Sequence, residues 1–133
     1  MMSYETFLLF ITQMDSQRKA KVVIQGSVIF IESSQKKDNW NLSTKILRRE
    51  NKNFPSFARD CISYTGLLKC QGRGAYLKLD SETNSIYLVQ EIISSKKYLP
   101  FKYLIQDFAS VAHEWKEILE EFSARDDSIL RLG

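Results

Sequence analysis

The sequence has few of the residues on which enzymes and metal sites depend. Its 133 residues include one histidine and two cysteines. A structural zinc site takes about four Cys or His ligands, whereas Cys61 and Cys70 stand alone, nine positions apart. We therefore expect reduced structural thiols, no metal and no cofactor. His113 falls at the edge of an apolar helical stripe, which favours a surface histidine over a general base oriented by Glu114 or Glu117. We predict no catalytic residue and no enzyme activity.

Glycine, proline and long apolar runs are also scarce. Five glycines and two prolines exclude collagen-like and low-complexity classes, and no apolar run approaches the roughly 18 residues of a membrane span. The apolar segment Phe7–Ile11 follows Glu5 instead of a basic stretch, and it lacks a small-residue cleavage site. We interpret it as part of an amphipathic helix in a cytoplasmic protein.

The remaining composition is that of a soluble globular domain. Hydrophobic residues make up 44% and charged residues 26% of the chain, and the net charge is +3. A chain of this length is one domain by the usual size range. We expect a single domain over residues 1–123 and a flexible charged tail over residues 124–133.

Hydrophobic periodicity predicts eight elements. Ser3 is a candidate N-cap for a helix over 4–14. Period-2 and β-branched runs then predict strands over 22–24, 28–31 and 40–47, and helical spacing returns over 55–68. A hairpin over 75–80 and 86–93 precedes a long helix over 101–122. The predicted fold class is α+β, with an antiparallel twisted sheet and helices packed on it.

Basic residues cluster near Arg18, Lys36 and Lys45, which raises the possibility of nucleic-acid binding. A single-strand reader needs basic and aromatic groups on one sheet face. By strand parity Lys45 faces away from Trp40 and Ile46, so this pattern disfavours nucleic acid beyond weak, non-specific binding.

Apolar residues exceed what one small core needs, which favours a protein interface over a well-filled monomer core. On the first helix, two apolar residues lie off the main stripe. On the first two strands, a second set falls on the face opposite Val22, Ile24, Val28 and Phe30 by period 2. The predicted partner-binding residues are Leu9, Phe10, Val23, Ile29 and Ile31.

Several motifs of the C-terminal half resemble the class I type III secretion chaperones (Tir-chaperone-like). They are Gly66-Leu67-Leu68, Gly72-x-Gly74-Ala75-x-Leu77-x-Leu79-Asp80, Ile86-x-Leu88, and the helix from Phe101 to Leu119 with Trp115. The resemblance covers residues 55–122 by motif and residues 1–54 by element order alone.

The resemblance implies a non-enzymatic bacterial cytoplasmic chaperone that binds the N-terminal segment of a secreted effector or gatekeeper protein. It also implies a dimer through the second helix and the strand after it, for which the candidate residues are Ile62, Thr65, Leu68, Tyr76 and Leu77. Family members are typically acidic, whereas this chain has a pI near 8.8. A homodimer, a heterodimer with a more acidic chaperone as in a chlamydial-type member, and a regulatory partner from the transcription machinery all stay open.

Overall fold

The computed structural model describes residues 2–35, 38–49, 53–70 and 74–132, with the backbone alone over 68–70 and 122–132. The elements are α1 (Tyr4–Gln17), β1 (Lys19–Ile24), β2 (Ser27–Ser33), β3 (Asn39–Arg48), α2 (Ser56–Cys70), β4 (Tyr76–Asp80), β5 (Ser85–Ile93) and α3 (Tyr98–Leu132). This order confirms the predicted fold class. The helical backbone of α3 continues to Leu132, and a flexible tail over 124–133 stays a prediction.

All five strands form one antiparallel sheet in the order β1-β2-β3-β5-β4. The β1–β2 hairpin closes through Gln25 and Gly26, which both have positive φ, at 51° and 79°. Such two-residue turns match the right-handed twist of the strands they join. The sheet therefore has two edge strands, β1 and β4.

One face of the sheet, called the inner face below, is covered by α1 and α3. Trp40, Leu42, Thr44 and Ile46 of β3 are all buried, which confirms the alternation predicted for this strand. Leu77 opposes Leu88 across the β4–β5 pair. The helices complete this core with Phe7, Phe10, Met14, Phe101, Ile105, Phe108, Ala109, Ala112 and Leu119.

Phe10 belongs to this core, so its prediction as a partner-binding residue is wrong. Its ring stacks on Phe101 with centroids 4.7 Å apart and meets Trp40 edge-on at 5.3 Å. Phe7, Phe10 and Met14 form the buried stripe of α1, whereas Tyr4 and Leu8 are exposed. Ser3 caps the helix as predicted, because its Oγ accepts from the Thr6 N–H at 3.1 Å.

Ile29 and Ile31 are also buried, so the prediction that they bind a partner is wrong as well. In the hairpin, Val22 opposes Ile29 and Ala20 opposes Ile31. Paired residues share a face, so odd-numbered positions on β2 lie with even-numbered positions on β1. Of the three strand residues proposed for the binding surface, only Val23 is exposed.

The buried hydroxyl group of Thr65 links α2 by a hydrogen bond to β4, at the edge of the sheet. Thr65 Oγ1 accepts from the Leu77 N–H at 2.9 Å and donates to the Cys61 carbonyl at 2.9 Å. Both Thr65 and Leu77 are buried within the subunit, so assigning their side chains to an intersubunit surface was wrong. The side chain of Leu68 lies outside the described residues.

Candidate protein-binding edge

The exposed edge of β1 carries backbone groups that no strand in the described ranges pairs. The Ser33 N–H donates to the Arg18 carbonyl at 2.9 Å, just before the ladder begins. In an antiparallel ladder, every second residue of a strand exchanges backbone hydrogen bonds with a given neighbouring strand. Because Arg18 bonds to Ser33, the even-numbered residues of β1 bond to β2. The N–H and C=O groups of Lys19, Lys21 and Val23 consequently point away from the sheet and are able to pair with an added strand.

A groove runs beside this edge, between β1 and α1. Gln13 and Gln17 of α1 line a cavity of about 480 Å³ together with Lys19, Ala20, Lys21, Phe30 and Glu32. Leu9, Gln13 and Gln17 are spaced four residues apart, so they share one row of the helix. We call this cavity, together with the exposed residues Leu9 on α1 and Val23 on β1, which lie farther from Arg18, the β1 groove.

Leu9 and Val23 are the two predicted partner-binding residues that the structure exposes, at 69% and 63%. Leu9 precedes Gln17 by eight residues, or about 12 Å of helix. Val23 follows Lys19 by four residues, or about 13 Å of strand. Since α1 turns directly into β1 at Arg18, the two side chains lie at a similar distance from that turn.

The sequence did not single out Gln13 and Gln17. Their distance of four and eight residues from Leu9 was the available signal, but it could not show which helical row faces β1. The groove combines unpaired backbone groups, amide side chains and apolar ends, which suits an extended peptide added to a sheet edge.

A second concave surface lies between α2 and α3, with a volume of about 680 Å³. Its apolar lining includes Leu104, Phe108, Val111 and Trp115 from α3. Exposed Tyr64 stands on its α2 side. We call this surface the α2–α3 groove. The predicted dimer residues Ile62 and Tyr76 are partly buried and do not line it.

The potential reactive groups are His113 and Cys61. His113 Nε2 lies 3.1 Å from Glu117 Oε1, one helical turn away, and both side chains are largely exposed. Partial burial, together with the charge of Asp60, raises the pKa of the Cys61 thiol. Among the described residues, no three His, Cys, Asp or Glu side chains are grouped to hold a metal ion.

Sequence comparison finds no matching protein family and no matching curated protein. Solved structures do match. A chain of the ExsC–ExsE complex aligns with a TM-score of 0.61 at 12% identity, over 86% of this chain and 93% of that one. This chain has a type III secretion chaperone fold.

A second structure, the HopA1–SchA chaperone–effector complex, extends the similarity. It aligns with a TM-score of 0.59 at 15% identity, over 86% of this chain and 93% of that one. At these identities the chaperone fold is what the chains share. No described helix is long and apolar enough to cross a bilayer.

Proposed function

We propose that this protein is a non-enzymatic type III secretion chaperone of the bacterial cytoplasm. It binds the N-terminal segment of a secreted effector or gatekeeper protein and keeps that protein competent for secretion. Two structures with the same fold support this assignment, since one is a complex of ExsC with ExsE and the other a chaperone–effector complex of SchA with HopA1. The observation that carries the proposal is the unpaired edge of β1 beside the β1 groove.

Binding at this edge follows from the chemistry of the groove. An extended segment paired with β1 bonds to the outward N–H and C=O groups of Lys19, Lys21 and Val23. Its alternate side chains then cover Leu9 and Val23. Full burial of a Leu or Val side chain contributes about 1.5–3 kcal/mol, and with two-thirds of each still exposed about 1–2 kcal/mol is available from each.

Dimerisation is part of the proposal, with the α2–α3 groove as its core. Phe108, Val111 and Trp115 give this groove an apolar floor, and exposed Tyr64 and Leu67 on α2 add apolar area beside it. Dimer interfaces are more apolar at their centre than the rest of a protein surface. The net charge of +3 is compatible with a homodimer and with a heterodimer that includes a more acidic chaperone.

The test of the β1 groove is co-purification from the native cell with tagged wild-type and variant protein. Leu9→Asp and Val23→Asp place a charge where the partner segment would bury an apolar group, and each should reduce recovery of the secreted partner at least tenfold. Leu99→Asp on a helix and Ile93→Asp on a strand are matched controls, because both residues are exposed and lie outside the groove. These controls should retain the partner.

Circular dichroism must show that all four variants fold. If the Leu9 and Val23 variants are folded and still recover the secreted partner, the β1 groove is not the effector site. If a protein of the transcription machinery is recovered and no secreted protein is, the chaperone assignment itself is wrong and the regulatory alternative replaces it.

A further inference from the structure

The face of the sheet opposite the helices, called the outer face, combines aromatic, aliphatic and basic side chains. One cross-strand row consists of Lys21, Phe30, Ser43, Val89 and Tyr76, and the next row includes the pair Val23–Val28 and the set Lys45–Tyr87–Lys78. Helices α1 and α3 pack on the opposite face, and α2 packs against β4. Strand parity predicted that basic and aromatic groups lie on opposite faces of the sheet. This holds for Lys45 and Trp40, but Lys45 shares the outer face with Phe30 and Tyr87.

The charges of these two rows have one sign. Lys21, Lys45 and Lys78 are exposed, and within the described residues none of them has a carboxylate at ion-pair distance. Glu32 and Glu91 lie in a neighbouring row. A complementary surface therefore brings negative charge to these two rows.

The apolar part of the face fits a helix. Phe30 is 43% exposed and Val28 is 39% exposed, and the half-buried Tyr87 and Val89 continue this patch towards β4. Four strand spacings separate β1 from β4, or about 19 Å, which is the length of about 13 helical residues. Helices cover sheet faces through an apolar stripe, while an extended chain on a sheet face would leave its backbone groups unpaired.

Nucleic acid fits the same surface less well. Stacking of successive bases requires several exposed aromatic planes, whereas Phe30 is the one exposed ring in the two rows described above, and Tyr76 and Tyr87 are partly buried. Three lysines also provide few phosphate contacts.

We infer that the outer face docks an amphipathic helix with acidic flanks, contributed by a partner protein. Its apolar stripe lies over Phe30, Val28 and Tyr87, and its carboxylates meet Lys21, Lys45 and Lys78. The surface is continuous with the β1 groove, because Lys21 and Phe30 line that groove too. In assigning this helix to the secreted partner, the inference rests on the proposed function; the chemistry of the face does not depend on it.

The test uses fluorescence anisotropy with a labelled synthetic peptide of about 18 residues, long enough to span the face as a helix. It has a leucine stripe flanked by glutamates; a second peptide replaces the glutamates with lysines, and a single-stranded oligonucleotide is the third probe. The acidic peptide should bind at least tenfold more tightly than the basic one. The double variant Lys45→Glu/Lys78→Glu should weaken it at least tenfold, and Phe30→Ala about fivefold.

Lys97→Glu is the matched control, because Lys97 is exposed on the loop before α3 and its substitution makes the same charge change as one of the two reversals. It should leave the affinity within twofold. If the double variant does not fold, Lys45→Gln/Lys78→Gln takes its place and should weaken binding about threefold.

Three results would overturn the inference: equal binding of the two peptides, affinity unchanged in the double variant, or an oligonucleotide that binds more tightly and loses binding in the same variants. The last would assign the face to nucleic acid. The labelled peptide is not the secreted partner, so none of these results bears on the co-purification test of the β1 groove. Conversely, loss of the secreted partner in the Leu9 and Val23 variants does not decide whether the outer face binds a helix.

Discussion

Replacing Thr65 by valine should destabilise the subunit by removing the acceptor of a buried backbone hydrogen bond. Valine nearly matches threonine in volume, so packing changes little. The Leu77 N–H, which now donates to Thr65 Oγ1 at 2.9 Å in a buried setting, would have no partner. A buried donor without an acceptor costs about 1–3 kcal/mol. For a chain of this size, each kcal/mol lowers Tm by about 3–5 °C.

Thr65→Ser is the matched control, because it retains the hydroxyl and loses one methyl group, worth about 0.8 kcal/mol. Urea unfolding should therefore rank Thr65→Val below Thr65→Ser by up to about 2 kcal/mol. Hydrogen exchange at the Leu77 amide should be faster in the valine variant. Equal stability of the two variants would refute the reasoning, and weaker dimerisation at unchanged stability would return Thr65 to the intersubunit surface.

Three further predictions follow from burial and hydrogen bonding. In urea unfolding, Ile29→Ala should cost about 2–4 kcal/mol because the side chain is fully buried, whereas Val23→Ala should stay within about 0.5 kcal/mol; similar costs would contradict the assignment of faces. Tyr98→Phe removes the hydrogen bond from Tyr98 Oη to the Met2 carbonyl at 2.8 Å and should cost about 0.5–1.5 kcal/mol, measured by thermal unfolding; an unchanged Tm would show that this bond adds nothing. Because the pKa of the Cys61 thiol is raised in the folded chain, Cys61 should be alkylated more slowly at about pH 8 than in the urea-unfolded protein. Mass spectrometry of the alkylated peptide measures the two rates, and equal rates would argue against the raised pKa. The contribution of this thiol to stability is complete below the ordinary thiol pKa and should be lost as the pH rises through the raised pKa.

The hairpin shows how far sequence reasoning could reach for the sheet. The β-branched runs correctly placed β1 and β2, and the alternation of Trp40 to Ile46 correctly gave the buried face of β3. The error came at Gln25 and Gly26. In a two-residue hairpin, odd positions of one strand pair with even positions of the other, so extending one parity through the turn put Ile29 and Ile31 on the wrong face.

The first helix was ambiguous for a different reason. It is apolar on more than one side, so periodicity alone could not choose between the stripe that includes Leu8 and the one that includes Phe10. The choice is made by the contacts of Phe10 with Trp40 and Phe101, which are distant in sequence. The position of the β1 groove follows from that choice of stripe. The sequence could predict that Leu9 and Val23 are exposed, but it could not predict the groove.

The aromatic cluster of Phe7, Phe10, Trp40 and Phe101 also constrains when the chain can fold. Its members span more than ninety residues of sequence. A ribosome adding about 5–20 residues per second needs about 3–12 s to advance from Trp40 to Phe101. During that interval α1 and the first three strands have no α3 against which to close their apolar face. Newly made chains therefore expose this apolar face, which favours aggregation, until the last helix leaves the ribosome.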